Sequence, residues 1–107
     1  MKCDITDLLT FFDELMPSTD EEQKVYWFKS SKKDGTIIIF VVSLFEESIG
    51  VIIKSENGVC FSHIDLEKCS EINVLDQEKK CLEVLNPNGR CFLSLLDGAV
   101  FTYTENK

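Results

Sequence analysis

The sequence has one histidine and few of the spacings on which enzyme chemistry depends. A serine or cysteine nucleophile needs a base beside it, and His63 is the one histidine that could act as that base. If the surrounding residues form a strand, His63 and Phe61 share one face, whereas Cys60 and Ser62 lie on the other. The sequence also contains no glycine-rich loop of the kind that holds phosphates. We therefore expect that the protein is not an enzyme.

Paired cysteines are missing as well, since the five cysteines are odd in number and form no Cys-x-x-Cys spacing. Zinc sites usually depend on such pairs, so we expect no metal and no cofactor. Residues 1–4 do not begin the long apolar run of a secretory leader. The sequence therefore predicts a cytoplasmic, reducing setting in which the thiols pack as small core residues. The cysteines are Cys3, Cys60, Cys69, Cys81 and Cys91.

Basic residues are in the minority, with 11 lysines and arginines against 19 aspartates and glutamates, and the net charge is −8. Such a balance repels nucleic-acid phosphates and anionic membrane surfaces. It suits a basic protein partner, or it serves solubility alone. We expect that neither nucleic acid nor a membrane is the partner.

Long apolar runs are absent apart from residues 36–45, which are too short to span a membrane as a helix of about 20 residues. A strand over this segment would be apolar on both faces. Strands of this kind are normally covered on both sides, so we predict the central strand of a sheet with one layer above it and one below. The two faces would hold Ile38, Phe40, Val42 and Leu44 on one side, and Ile37, Ile39, Val41 and Phe45 on the other.

Residues 4–16 carry the pattern of an amphipathic helix. Asp4 is a suitable N-cap, and Asp7 adds negative charge to the first turn, where the helix dipole favours it. Pro17 marks the end of the pattern, since the residue before a proline avoids helical backbone angles. The apolar face of the predicted helix consists of Ile5, Leu8, Leu9, Phe12, Leu15 and Met16, with Asp7, Thr10 and Glu14 opposite.

Strand and turn signals follow the helix, from residue 24 to residue 104. Turn signals recur about every ten residues, near positions 34, 46, 57, 77, 88 and 97, which is typical of consecutive antiparallel hairpins. We predict one domain over residues 1–107 with an α+β fold. In it, the N-terminal helix packs on a predominantly antiparallel, strongly bent sheet or sandwich of about eight strands in meander order. The pattern leaves open whether the strands form a sandwich, a barrel or a bent single sheet.

Acidic residues cluster near the N-terminus, where seven of the first 22 residues are acidic and only Lys2 opposes them. Two further acids follow the central strand, where charges also act as gatekeepers against aggregation of an apolar segment. We predict that the first cluster contacts a basic partner and that the second contributes. The candidate partner-binding residues are Asp7, Glu14, Asp20, Glu21 and Glu22, with Glu46 and Glu47 as secondary candidates.

In length, charge and the order of one helix before many strands, the chain resembles the small acidic immunity proteins of bacterial toxin–immunity systems, including those of contact-dependent growth inhibition. The resemblance implies a non-enzymatic protein that binds and neutralises a basic toxin domain encoded alongside it, such as a nuclease. Charge complementarity would speed such an association. Two other interpretations remain open: a small ligand-binding β-cup, and a chaperone-like interaction subunit. The sequence does not indicate an oligomeric state.

Overall fold

The computed structural model describes residues 1–96 and 98–105, which form one helix and ten strands. The strands lie in two five-stranded sheets. We call the sheet with the order β2-β3-β4-β5-β6 the front sheet and the sheet with the order β1-β7-β8-β9-β10 the back sheet. The elements are β1 (Lys2–Cys3), α1 (Ile5–Phe11), β2 (Glu14–Leu15), β3 (Val25–Ser31), β4 (Thr36–Ser43), β5 (Ser48–Ser55), β6 (Cys60–Leu66), β7 (Glu71–Asp76), β8 (Cys81–Asn86), β9 (Gly89–Ser94) and β10 (Val100–Glu105).

The N-terminal helix is present but shorter than predicted. Asp4 caps it as expected, because its carboxylate accepts a hydrogen bond from the backbone N–H of Asp7 at 3.2 Å. The helix ends at Phe11, well before Met16. The buried face also differs from the predicted stripe, since Phe11 is fully buried while Leu9 is 44% exposed.

The helix stops early because the residues after it bind to the front sheet. Phe12 is extended, and its ring stacks on those of Phe28 and Phe40 at centroid distances of 5.5 and 5.2 Å. Lys80, in the turn after β7, donates to the carbonyl oxygen of Phe11 at 2.9 Å and so satisfies one orphan acceptor at the helix end. Glu14 therefore lies in the short strand β2, and Pro17 follows that strand.

The front sheet is built around β4, as the apolar run predicts. Its inward residues, Ile38, Phe40 and Val42, are fully buried. The prediction that a second layer covers the outer face of β4 is wrong, because the helix and the back sheet both contribute to the core on the inner side. Ile39 is buried among its neighbours in the sheet, but Val41 lies in an open groove and Phe45 is 70% exposed.

The two sheets share one hydrophobic core, so the sandwich is the form that the meander takes. Leu82, Val84 and Leu93 of the back sheet join the same cluster as the inward residues of β4. Strands β3 to β6 and β7 to β10 are consecutive antiparallel neighbours, which confirms the predicted α+β meander. Strand β1 pairs with β7 in parallel. The two short strands β1 and β2 bring the number of strands in the described residues to ten.

The turns lie where the sequence predicts them up to the last one. Gly35 and Gly58 have positive φ angles of 89° and 96° in the turns near positions 34 and 57. The turn near position 97 involves Asp97, which lies outside the described residues. The part of the chain that the structure describes includes no helix both long enough and apolar enough to cross a bilayer.

Candidate functional site

An open groove lies on the outer face of the front sheet, with a volume of about 530 Å³. One row of directly opposed residues crosses the sheet here, in which Trp27 pairs with Val41, Val41 with Gly50, and Gly50 with Asp65. The neighbouring row adds Ile52. The floor is therefore apolar and aromatic. We call this feature the Gly50 groove.

The missing side chain at Gly50 allows an acidic group to lean over the floor. A β-carbon built at Gly50 would lie 3.0 Å from Oδ1 of Asp65, which is tighter than ordinary contact. The same Asp65 oxygen lies 3.1 Å from Nε2 of His63, on the same edge strand. His63 therefore holds the carboxylate in place, although its side chain is 53% exposed and that of Asp65 is 70% exposed.

Acidic turns meet at the end of the front sheet where this groove opens. The turn before β3 and the turn between β4 and β5 are joined by a hydrogen bond of 3.0 Å from the N–H of Leu44 to the carbonyl oxygen of Lys24. The structure thus brings two parts of the predicted partner surface together: the cluster 20–22 and the pair 46–47. Glu46 and Glu67 line the groove itself, together with the basic Lys68. We call the two joined turns, with the acidic residues of 20–22 and 46–47, the acidic end.

Two of the predicted contact residues also have structural roles. The Asp20 carboxylate accepts hydrogen bonds from the N–H groups of Glu22 and Gln23 at 3.1 and 3.2 Å, which fixes the turn before β3. Glu47 has a positive φ of 53°, and its carboxylate lies 3.2 Å from the N-terminal amine of Met1. Substitutions at Asp20 and Glu47 would therefore disturb the fold as well as any contact.

Two predicted residues lie away from the acidic end. Asp7 is in the first turn of α1, where its carbonyl oxygen accepts a hydrogen bond from Gln77 at 2.9 Å. Glu14 lies on β2 and forms a 3.5 Å ion pair with Lys29. The prediction that one helix face carries both acids is wrong, because the helix ends before Glu14.

The residues of the groove floor were not predicted as a site from the sequence. The signals were present, since β4 is apolar on a second face and Gly50 interrupts the neighbouring strand, which often marks the close approach of another group. Trp27, the middle one of three consecutive aromatic residues, lines the groove on the outer face. Phe28 is fully buried on the inner face.

The thiols differ in their surroundings. Burial raises the pKa of Cys91 to about 11, with a smaller contribution in the same direction from the neighbouring Cys69 thiol. Burial also raises the pKa of Cys69. Cys60 is exposed and lies opposite Lys54, where a bulge breaks the strict alternation expected around His63. Its Sγ contacts the carbonyl oxygen of Ser62 at 3.6 Å. Within residues 1–96 and 98–105, no group of three or more potential ligand residues could hold a metal ion.

Comparison with known proteins identifies a fold but no sequence family. No protein-family model and no curated protein sequence matches the chain. The fold is similar to that of a chain in the structure of a contact-dependent growth inhibition toxin–immunity protein complex from Klebsiella pneumoniae 342. The TM-score is 0.79, the sequence identity is 12%, and the match covers 98% of this chain and 96% of that one. The chain therefore shares its fold with a protein from such a complex.

Proposed function

We propose that this protein is an immunity protein that binds and neutralises a basic toxin domain. The observation that carries the proposal is the similarity of fold, over nearly the whole of both chains, to a protein from a toxin–immunity complex. Fold alone does not assign function, so the proposal also rests on the charge and the surface of this chain.

The charge distinguishes between the two kinds of protein in such a complex. A toxin that acts on nucleic acid needs a basic surface for phosphates, whereas this chain carries a net charge of −8. An inhibitor of that toxin gains from the opposite sign, because complementary charge accelerates association and disfavours wrong partners. The acidic balance therefore favours the immunity role, with a nuclease as the proposed class of toxin.

The acidic end is the proposed contact surface. It joins the exposed Glu21 and Glu22 to Glu46, and it adds Phe45 as an exposed apolar neighbour. A large apolar side chain among charges is a common anchor of protein interfaces. Asp7 and Glu14 remain proposed contacts of lesser weight, since the structure places them elsewhere.

The alternative of a ligand-binding β-cup needs space between the sheets. In the described residues that space is filled by side chains such as Phe40, Leu82 and Leu93, each fully buried. The groove lies outside the sandwich and is open, which suits a protein partner better than an enclosed small molecule.

The first test is protection of cells from the toxin. The toxin domain encoded beside this chain is expressed in a bacterial host with and without the chain, and surviving colonies are counted. We expect the chain to restore survival and to bind the purified domain with a stoichiometry of one to one. Toxicity that is unchanged by the chain, with no binding, would contradict the proposal.

The second test is charge reversal at the acidic end. The triple variant Glu21→Lys, Glu22→Lys and Glu46→Lys spares the structural residues Asp20 and Glu47. We expect the association rate to fall about tenfold at low salt, with a smaller difference at high salt, because exposed charges act mainly through screened long-range attraction. The measurement is stopped-flow or surface-binding kinetics at two salt concentrations.

The matched control is Glu56→Lys, Glu78→Lys and Glu105→Lys, which changes the net charge equally. Glu56 and Glu78 lie in the turns after β5 and β7, and Glu105 ends β10, an edge strand of the back sheet. We expect a much smaller effect on the association rate from this control. Equal effects of the two triples would show that only the overall charge matters.

A further inference from the structure

The Gly50 groove combines a flat aromatic group with carboxylates around an apolar floor. Trp27 lies at one side of the row and Asp65 at the other, with Val41 and Gly50 between them. Glu46 and Glu67 line the same groove, while Lys68 is the one lysine or arginine among the described residues that line it. The groove is thus negative overall, although the floor itself is apolar.

This combination limits what can occupy the groove. A second copy of this chain would bring acidic surfaces with a net charge of −8 together, and repulsion disfavours that contact. A purely apolar side chain would remove water from the Asp65 carboxylate and leave His63 as its one neighbouring polar partner in the groove, which costs free energy. A cationic side chain with a flat apolar surface can pair with the carboxylates and also pack on the apolar floor.

We propose that the Gly50 groove receives an arginine side chain from the toxin, with its guanidinium between Trp27 and Asp65. Guanidinium groups stack on tryptophan faces and form paired hydrogen bonds with carboxylates. Arginine suits the site better than lysine, because its charged guanidinium group is planar and is more weakly hydrated than an ammonium group. This inference rests on the proposed immunity function and identifies the contact that anchors it.

Two other residues support this geometry. His63 lies 3.1 Å from the Asp65 carboxylate and fixes its position over the floor, so His63 is a positioning residue. Gly50 leaves the space into which the Asp65 carboxylate leans, so that this carboxylate lies over the floor of the groove. A larger residue at position 50 would fill that space and push Asp65 aside.

The test measures binding of the toxin domain encoded beside this chain to three variants: Asp65→Asn, Trp27→Leu and Gly50→Val. We expect each to raise the Kd by at least roughly 30-fold, mainly through faster dissociation, because a closely paired charge at an interface is lost or blocked. Asp65 is exposed, so its substitution keeps the fold even if Gly50→Val does not. Circular dichroism and thermal unfolding verify each variant.

The matched controls lie on the back sheet and its turn. Phe92→Leu removes an aromatic side chain and Glu78→Gln removes a carboxylate, each away from the groove. We expect both to bind within about threefold of the wild type, as surface substitutions outside an interface do.

A double-mutant cycle identifies the arginine itself. Arginines of the toxin domain are replaced one at a time by glutamine and tested against wild type and Asp65→Asn. We expect one of them to show a coupling of at least about tenfold with Asp65, and the corresponding lysine variant to recover only part of the affinity. Wild-type affinity in both Asp65→Asn and Trp27→Leu would overturn the inference while the proposed function stands. A wild-type chain that neither binds nor protects overturns both.

Discussion

The outer faces of the two sheets differ in what they expose. On the back sheet, polar side chains pair across strands: Asn73 donates to Glu83 at 3.3 Å, and Arg90 lies 3.5 Å from the same carboxylate. On the front sheet, the equivalent face holds Trp27 and Val41 beside an open groove. A solvated sheet face normally alternates to polar residues, as the back sheet does at Asn73, Glu83 and Arg90, although Phe92 lies on the same face opposite Glu83.

The difference indicates which face is available to a partner. On the back sheet the cross-strand partners satisfy one another, and Glu83 is only 13% exposed. On the front sheet the apolar floor has no such internal partner, and the acids sit at its margin. Exposed apolar surface rimmed by charge is typical of interaction sites. The front sheet is therefore the face on which the proposed contacts converge.

The largest expected effect separates the inner and outer faces of the same strand. Phe40→Ala should lower the free energy of unfolding by about 3–5 kcal/mol, because it removes a fully buried ring that stacks on Phe12. Val41→Thr should cost less than about 1 kcal/mol, since its hydroxyl is solvated in the groove. Chemical denaturation of both variants measures the difference. Similar losses would show that the outer face is also buried in solution.

A smaller effect compares one ion pair on each outer face. Arg90→Ala should cost about 1 kcal/mol, because Glu83 then loses its charged partner in a poorly solvated position and keeps the hydrogen bond from Asn73. Lys29→Ala should cost about 0.5 kcal/mol or less, since its partner Glu14 is 58% exposed. Urea unfolding at low and high salt measures both. A larger loss for Lys29→Ala would reverse the ranking of the two faces.

The smallest expected effect is a difference in thiol reactivity between the two sheets at neutral pH, which leaves the fold unchanged. Cys60, on the exposed edge of the front sheet, should react rapidly with a thiol reagent, whereas Cys91 in the core should react only when the fold opens. Mass spectrometry of the partly labelled protein measures the order.

The same thiols predict a decline of stability in alkali. The pKa of Cys91 is raised from 9.0 to about 11, so the unfolded thiol ionises first. Its contribution is fully present below pH 9.0 and is lost as the pH rises to about 11. The free energy of unfolding should therefore fall over this interval, and less steeply in Cys91→Ala. Equal slopes in the two proteins would contradict the assignment.

Much of the fold was predictable because its signals are local. The hairpin turns depend on residues such as Gly35 and Gly58, whose positive φ angles are favourable for glycine. The central strand follows from the β-branched run at 36–45, and the N-cap follows from the Asp4 side chain. The seven candidate acids were also visible in the sequence, and five of them lie in the two turns that the hydrogen bond between Leu44 and Lys24 joins.

The errors arise where a distant contact overrides a local preference. The pattern of residues 4–16 favours a longer helix, but stacking of Phe12 on Phe40 and pairing of Glu14 with Lys29 end it early. Propensity is a weak preference, and burial of an aromatic side chain outweighs it.

The sequence by itself determined the order of the helix and the antiparallel hairpin strands after it, the acidic charge and the apolar character of both faces of β4. Only the tertiary structure decided which face became core and which became the Gly50 groove, because covering a face depends on where the back sheet packs. It likewise decided that the turns holding Glu22 and Glu46 meet, since pairing of β3 with β4 brings together segments that are distant in the chain. Patterns along the chain specify local structure, whereas a binding surface requires the long-range pairing that assembles it.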